Sequence, residues 1–299
     1  TSAPNMAVRG RFNPFMFSGT SFSTGGYSAE FGHALSSILS LNTNDMPLED
    51  QLDFSIMTIG GDVSGTKKWE TGAITTSFNY MNLQPYMSIV PQNYEWNQEP
   101  VAYGGSLNFR QKTKHSGMFK LYASADQSNL SPMEVGIDGS GEEVNINVKN
   151  TNQFTNANWR GIIAKNIFMK VGGSFTYNLD NYQEGNKLFN QKLLGNHLKA
   201  ILKYRFSDKV SLRSGVENVF TSFEQSYSLE NVLGDSTSNY QDNVSAVFVE
   251  GQAYTSARFL FNVGLRLEHS SYLKQSTLSP RISMAYQLAE NTSLSVAYG

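Results

Sequence analysis

Any chemistry in this chain must come from four histidines, no cysteine and charges scattered along alternating segments. A catalytic serine would need a histidine base within reach. His115 falls in a short turn, His269 at a segment end and His33 in a small-residue stretch, while His197 lies inside a segment with Asn196 facing the other way. No nucleophile-elbow sequence accompanies any of them, and no two have zinc-ligand spacing. The stretch DGSGEE at 138–143 departs from calcium-loop spacing and reads as a solvated turn. The expectation is therefore no enzyme, no metal and no cofactor. What remains is a set of isolated charges on polar faces: Arg110, Lys120, Asp126, Arg213, Glu217, Glu250, Arg266 and Glu268. Such groups form ion pairs or line a hydrated space.

The elements that carry them follow a period of two. In VAYGGSLNFRQK, residues 101–112, Val101, Tyr103, Leu107 and Phe109 share one face, and Ala102, Gly104, Ser106, Asn108, Arg110 and Lys112 the other. Phe259, Phe261, Val263, Leu265 and Leu267 oppose Asn262, Gly264, Arg266 and Glu268. That alternation marks strands with one apolar face. About a dozen such segments of roughly nine to twelve residues run from Gln51 to the end, the length needed to cross a bilayer at a tilt. Short turns near 112–116, 164–166, 207–209, 256–258 and 290–292 alternate with longer polar stretches at 82–100, 127–150, 181–190, 221–242 and 270–277. Short turns on one rim and long connections on the other are the outer-membrane barrel arrangement.

Bulk properties agree. Charged residues are 16% and aromatics 12% of the 299 residues, whereas ordinary domains carry about 25% charge. The net charge of −2 leaves no electrostatic footprint for nucleic acid. The longest apolar run, 246–249, is far too short for a membrane helix. Trp69, Tyr80, Tyr103, Trp159, Tyr177, Tyr204, Tyr286 and Tyr298 sit near segment ends, as an interfacial girdle requires. A soluble sandwich, a lipocalin-like barrel or a propeller also alternates, but long segments and the girdle favour an antiparallel transmembrane β-barrel, all-β in class.

The stretch GRFNPFMFSGTSFSTGGYSAEFGHALSSILSLNTND, residues 10–45, resembles the end of the plug of a TonB-dependent outer-membrane receptor, with a Bacteroidetes flavour. LSPRISMAYQLAENTSLSVAYG, 278–299, and VFVEGQAYTSARFLFNVGLRLEH, 247–269, are similar to the same family's hairpins. The resemblance implies that residues 1–45 are the C-terminal part of a plug and 46–299 the N-terminal part of a barrel, a fragment of a longer receptor. It implies TonB, outer-membrane lipid and a surface lipoprotein as partners, the outer membrane of a Gram-negative bacterium as location, and uptake of a scarce siderophore, cobalamin, glycan or peptide. A structural or secretion-associated barrel and a passive porin are the alternatives; an outer-membrane lipase lacks its paired serine and histidine. In this setting the eight charges become lumen- and plug-facing, and Tyr86, Tyr94 and Trp96 of the 82–100 stretch become candidates for stacking on solute. One expectation conflicts: the first strand, placed at 51–61, would run toward the short-turn rim, whereas a chain leaving a plug should run away from it. A strand missed near 35–42 or 85–89 would repair the count.

Overall fold

The computed structural model describes residues 16–23, 25–32, 37–90, 95–114, 116–135, 143–229, 236–256 and 258–299. Strands β1 (Phe17–Ser23) and β2 (Ile38–Thr43) pair as a small antiparallel sheet. The other described strands form one antiparallel meander of thirteen, each bonded to its neighbours in sequence. These are β3 (Gln51–Met57), β4 (Gly60–Lys68), β5 (Gly72–Asn82), β6 (Trp96–Thr113), β7 (Gly117–Val135), β8 (Glu143–Ala164) and β9 (Ile167–Glu184). They continue as β10 (Lys187–Arg205), β11 (Val210–Leu229), β12 (Ser236–Ser256), β13 (Phe259–Ser270), β14 (Gln275–Ala289) and β15 (Thr292–Tyr298). A short helix, α1 (Gln84–Met87), the one α-helix among the described residues, interrupts the connection from β5 to β6. No described helix is long and apolar enough to cross a membrane.

The conflict over strand direction disappears here. Residues 51–61 are not one strand but a strand, β3, and the start of the next, β4, with a tight turn at Thr58 and Ile59. The turn is closed by Gly60, whose φ of 150° favours glycine and where a Cβ would lie 2.8 Å from Met81 Cα. With this hairpin counted, β3 runs away from the short-turn rim. The stretches proposed as missed strands are otherwise occupied: residues 38–42 belong to β2, paired with β1, and α1 covers 84–87.

The second difference is length. Strands β6 to β12 hold 18–22 residues, not nine to twelve. The polar stretch at 181–190 is strand on both sides of a turn at Gly185, whose φ is 55°. At about 3.4 Å per residue and a tilt near 45°, such strands stand taller than the ~25 Å apolar band of an outer-membrane barrel. Above that band both faces meet water, so the alternation fades while the backbone ladder continues.

Burial is inverted relative to a soluble sheet. Along β12, Val244, Ala246, Phe248 and Glu250 are buried while Ser245, Val247 and Val249 are exposed. Across the sheet the exposed face carries Val171, Phe175, Leu198, Leu202, Val216, Leu265 and Leu267, and the buried list includes Asn108, Arg110, Lys120, Glu217, Glu250 and Arg266. Apart from a few inward apolar residues such as Phe248, greasy side chains face outward and the buried charges inward, as in a barrel wall between lipid and a polar interior. Tyr80, Tyr103, Tyr204 and Tyr286 are among the exposed aromatics, in keeping with a girdle.

Candidate functional site

The inner face is where the N-terminal segment meets the sheet, and it does so through charge at two places. The lower place lies near the short turns. Lys120 Nζ donates to Thr43 O and to Asp45 Oδ1, each at 2.8 Å. Arg110 Nη1 donates to Asp45 O at 3.0 Å, and its Nη2 donates to Thr75 Oγ1. Arg160 adds an ion pair with Asp45 at 3.4 Å. The chain thus leaves β2 through a three-cation grip on one aspartate. Phe17 packs beside Tyr122, ring centroids 5.3 Å apart, and Asn108 Nδ2 lies 3.5 Å from Met16 O.

The hydrogen bond from Lys120, opposed by partial burial and reinforced by the fields of Lys120, Arg160 and Arg110, holds the Asp45 carboxyl below its ordinary value. A depressed carboxylate contributes stability above its unfolded value and loses that contribution as pH falls through the folded value. Hydrogen exchange of the β2 amides is therefore expected to quicken as pH drops below about 4, after correction for intrinsic exchange. The Asp45→Asn variant is expected to show loose β2 amides at every pH without that step.

The other place is larger. Residues 27–32 cross strands β10 to β14, and five strands reach them. Glu250 accepts from Ser28 Oγ at 3.0 Å and from the buried Ala29 N–H at 2.8 Å. Arg213 Nη1 donates to Ser28 Oγ and to Glu30 Oε2, both at 3.2 Å. Lys199 Nζ donates to Glu30 O at 2.6 Å and pairs with Glu217 at 3.2 Å. Arg281 Nη1 donates to Ser28 O at 2.6 Å. Five strands about 4.8 Å apart span about 19 Å, the reach of six extended residues, so the segment lies across the strands rather than along one of them.

Behind this contact lies a second layer. Glu217 takes Arg266 Nη2 at 2.7 Å and His197 Nε2 at 2.7 Å, and Arg266 Nε donates to Glu268 at 2.9 Å. Glu30, Glu217, Glu250 and Glu268 face Lys199, Arg213, Arg266 and Arg281, so the carboxylates and cations are matched. Arg266 is only 2% exposed, and a buried charge is tolerated only when paired. Apolar support is small: Ala29, Ile201 and Phe248 form one buried cluster, and Lys199 Nζ sits 5.1 Å from the Phe31 ring. Gly264 permits the close approach, since a Cβ there would lie 2.8 Å from Ala29 Cβ.

Of the charges expected from the sequence, Arg213, Glu217, Glu250, Arg266 and Glu268 come together in the larger cluster and Arg110 with Lys120 in the other. Asp126 belongs to neither. It points inward opposite Gly104. Tyr86 lies exposed in α1 and Trp96 half-buried at the start of β6, both at the rim of the longer connections. Tyr94, His33, His115 and residues 138–142 lie outside the described residues. Sequence reasoning missed Ser28, Glu30, Asp45, His197, Lys199 and Arg281 as partners. Lys199 and Arg281 were legible, being in register with inward-facing neighbours; the N-terminal residues carry no periodic signal.

Residues 60–299 match the family model described as TonB dependent receptor-like, beta-barrel. Among solved structures, the chain is similar to the FrpB iron transporter of Neisseria meningitidis (F3-3 variant), with TM-score 0.68 and 13% identity over 95% of this chain and 53% of that one. The siderophore receptor PiuA of Acinetobacter baumannii aligns with TM-score 0.63 and 9% identity over 95% and 54%. The RagAB peptide importer in its open-open state gives 0.55 and 10% over 76% and 33%. The chain therefore spans from a third to about half the length of these proteins. No curated protein matches it. Taken with the inverted burial and the thirteen-strand meander, the chain belongs to the TonB-dependent receptor family, whose β-barrels sit in the outer membrane of Gram-negative bacteria.

Proposed function

We propose that this chain serves energy-coupled import of a scarce solute, with residues 1–45 as plug and 46–299 as barrel wall. The observation that carries the reading is the seam itself. A segment lying against the inner face of the sheet is held by hydrogen bonds and ion pairs rather than by a dry apolar interface. Water can replace such bonds when the segment shifts, so the seam holds a plug at rest and lets it move under pull. TonB would supply the pull, and a surface lipoprotein could present the solute. The likeness to structures titled as an iron transporter, a siderophore receptor and a peptide importer supports import as the class of activity.

A covalent lock tests it. In the full-length receptor, cysteines at Ser28 and Glu250 would be joined by a short bismaleimide. Growth on whichever of limiting iron, cobalamin or glycan the receptor supports should stop after crosslinking and persist in the unlinked double variant. Growth indifferent to the lock would favour a passive pore or a structural barrel.

A further inference from the structure

The wall above the charged seam has its own chemistry. One line of register runs Lys120, Asn158, Gly172, Lys199, Glu217, Ala246, Glu268, Thr277 across β7 to β14, with Arg110 opposite Lys120 in β6. Among the described residues, inward-facing strand positions on the far side of this line, away from the short turns, carry one cation. It is Lys187, paired with Glu184 at 3.3 Å. The other inward cations of β6 to β14 lie on the line or below it. Among the described residues, this paired lysine is all that the upper wall offers an anionic solute.

What the upper wall offers instead lies along a second line of register: Tyr240, Phe223, Leu193, Asn178, Asn152 and Asp126. At one end is an aromatic ladder. Phe223 and Tyr240 have ring centroids 5.6 Å apart, and Tyr240 and Tyr272 again 5.6 Å. Phe223 shares the face of Glu217, and Tyr240 that of Glu250, at even spacings along strands with unbroken register. Phe223 and Tyr240 therefore do not belong to the outward girdle, and lipid cannot cover them. Tyr240 is 40% and Tyr272 60% exposed. Tyr272 is also held in place: its N–H donates to Asp242 Oδ1 at 3.1 Å, and Ser270 Oγ caps the same carboxylate at 2.9 Å. At the other end is an amide network, in which Asn150 donates to Asp180 and Asn178 Nδ2 donates to Asp180 Oδ2 at 2.8 Å.

We infer that this row is a subsite for a neutral oligosaccharide, with one sugar ring stacked on Tyr240 and its neighbours and the next rings hydrogen-bonded along Leu193 toward Asn178 and Asn152. A pyranose has an apolar C–H face and a polar rim of hydroxyls. It asks for an aromatic surface beside groups that both donate and accept, and amides do both. Strands about 4.8 Å apart match the repeat of a sugar chain laid across them, and a scarcity of cations is no handicap for a neutral ligand. The biological meaning rests on the import reading, but the binding itself does not.

The test is binding to the purified full-length receptor in detergent, without TonB, using an array of neutral oligosaccharides and a ferric tris-catecholate as the anionic probe. Expected is capture of at least one neutral oligosaccharide, with affinity reduced at least tenfold by Tyr240→Ala and by Phe223→Ala and changed less than threefold by Tyr240→Phe, which keeps the ring. Retained heat-modifiable migration on gels shows that the variants fold. Binding of no oligosaccharide, preference for the tris-catecholate, or an affinity indifferent to Tyr240→Ala overturns the inference. If the oligosaccharide binds as expected while the crosslinked receptor still supports growth, the import reading fails and the subsite stands.

Discussion

Replacing Glu217 by alanine is expected to lower the stability of the folded receptor by about 3–5 kcal/mol, the range for removing one partner of a buried ion pair. Glu217 joins three strands. It takes Arg266 from β13 and both Lys199 and His197 from β10. Arg266 bears the loss, since it is 2% exposed and, among the described residues, would keep Glu268 as its ion-pair partner. The measurement is urea unfolding of full-length protein refolded into bilayers. Glu217→Gln still accepts hydrogen bonds and should fall between the two. The double variant Glu217→Leu with Arg266→Met should lose less than the two single losses added together, because neither charge is then left buried alone. Full additivity would mean that the two side chains are not coupled.

The other large effect is expected from Gly264→Val. Ala29 is fully buried against Gly264, and even a Cβ at that position would come within 2.8 Å of the Ala29 methyl. A packed interface resists such insertion at a cost of about 1–3 kcal/mol. Residues 27–32 have an easier course, which is to lift off the wall. The Ala29 N–H then loses Glu250, and its hydrogen exchange should quicken by about a hundredfold, while amides within β12 and β13 change little. Gly251→Ala is the control, because a Cβ there has its nearest neighbours at 4.0 Å. Equal exchange at Ala29 in both variants would show that the segment is not seated as described.

What could be read from the sequence follows from period. On β11 and β13, charges four and two positions apart marked Arg213, Glu217, Arg266 and Glu268 as inward, the alternation of β12 marked Glu250, and the register joins them. Their partners could not be read. Ser28 and Glu30 meet residues some 170 to 250 positions later, in a stretch whose bonding has no repeat. The β3–β4 hairpin was hidden because Thr58 and Ile59 lack the Asn-Gly or Asp-Gly signature of a tight turn, and Gly60 and Gly61 pass for small residues within one strand. Strand lengths were underestimated for a physical reason as well. Alternation reports lipid, and the ladder outlasts the lipid. The aromatic row was hidden the same way, because Phe223, Tyr240 and Tyr272 fall in stretches read as polar connections.

The central claim is that this sheet separates lipid from a wet, charged interior, and nitroxide labels scanned singly along residues 171–177 of β9 in full-length receptor in bilayers test it directly. Val171 and Phe175 are exposed on the apolar face, with Ser174 and Thr176 on the other. Collision with oxygen should peak at 171, 173, 175 and 177, and collision with a water-soluble nickel chelate at 172, 174 and 176. The opposite phase, or no alternation at all, would contradict the account.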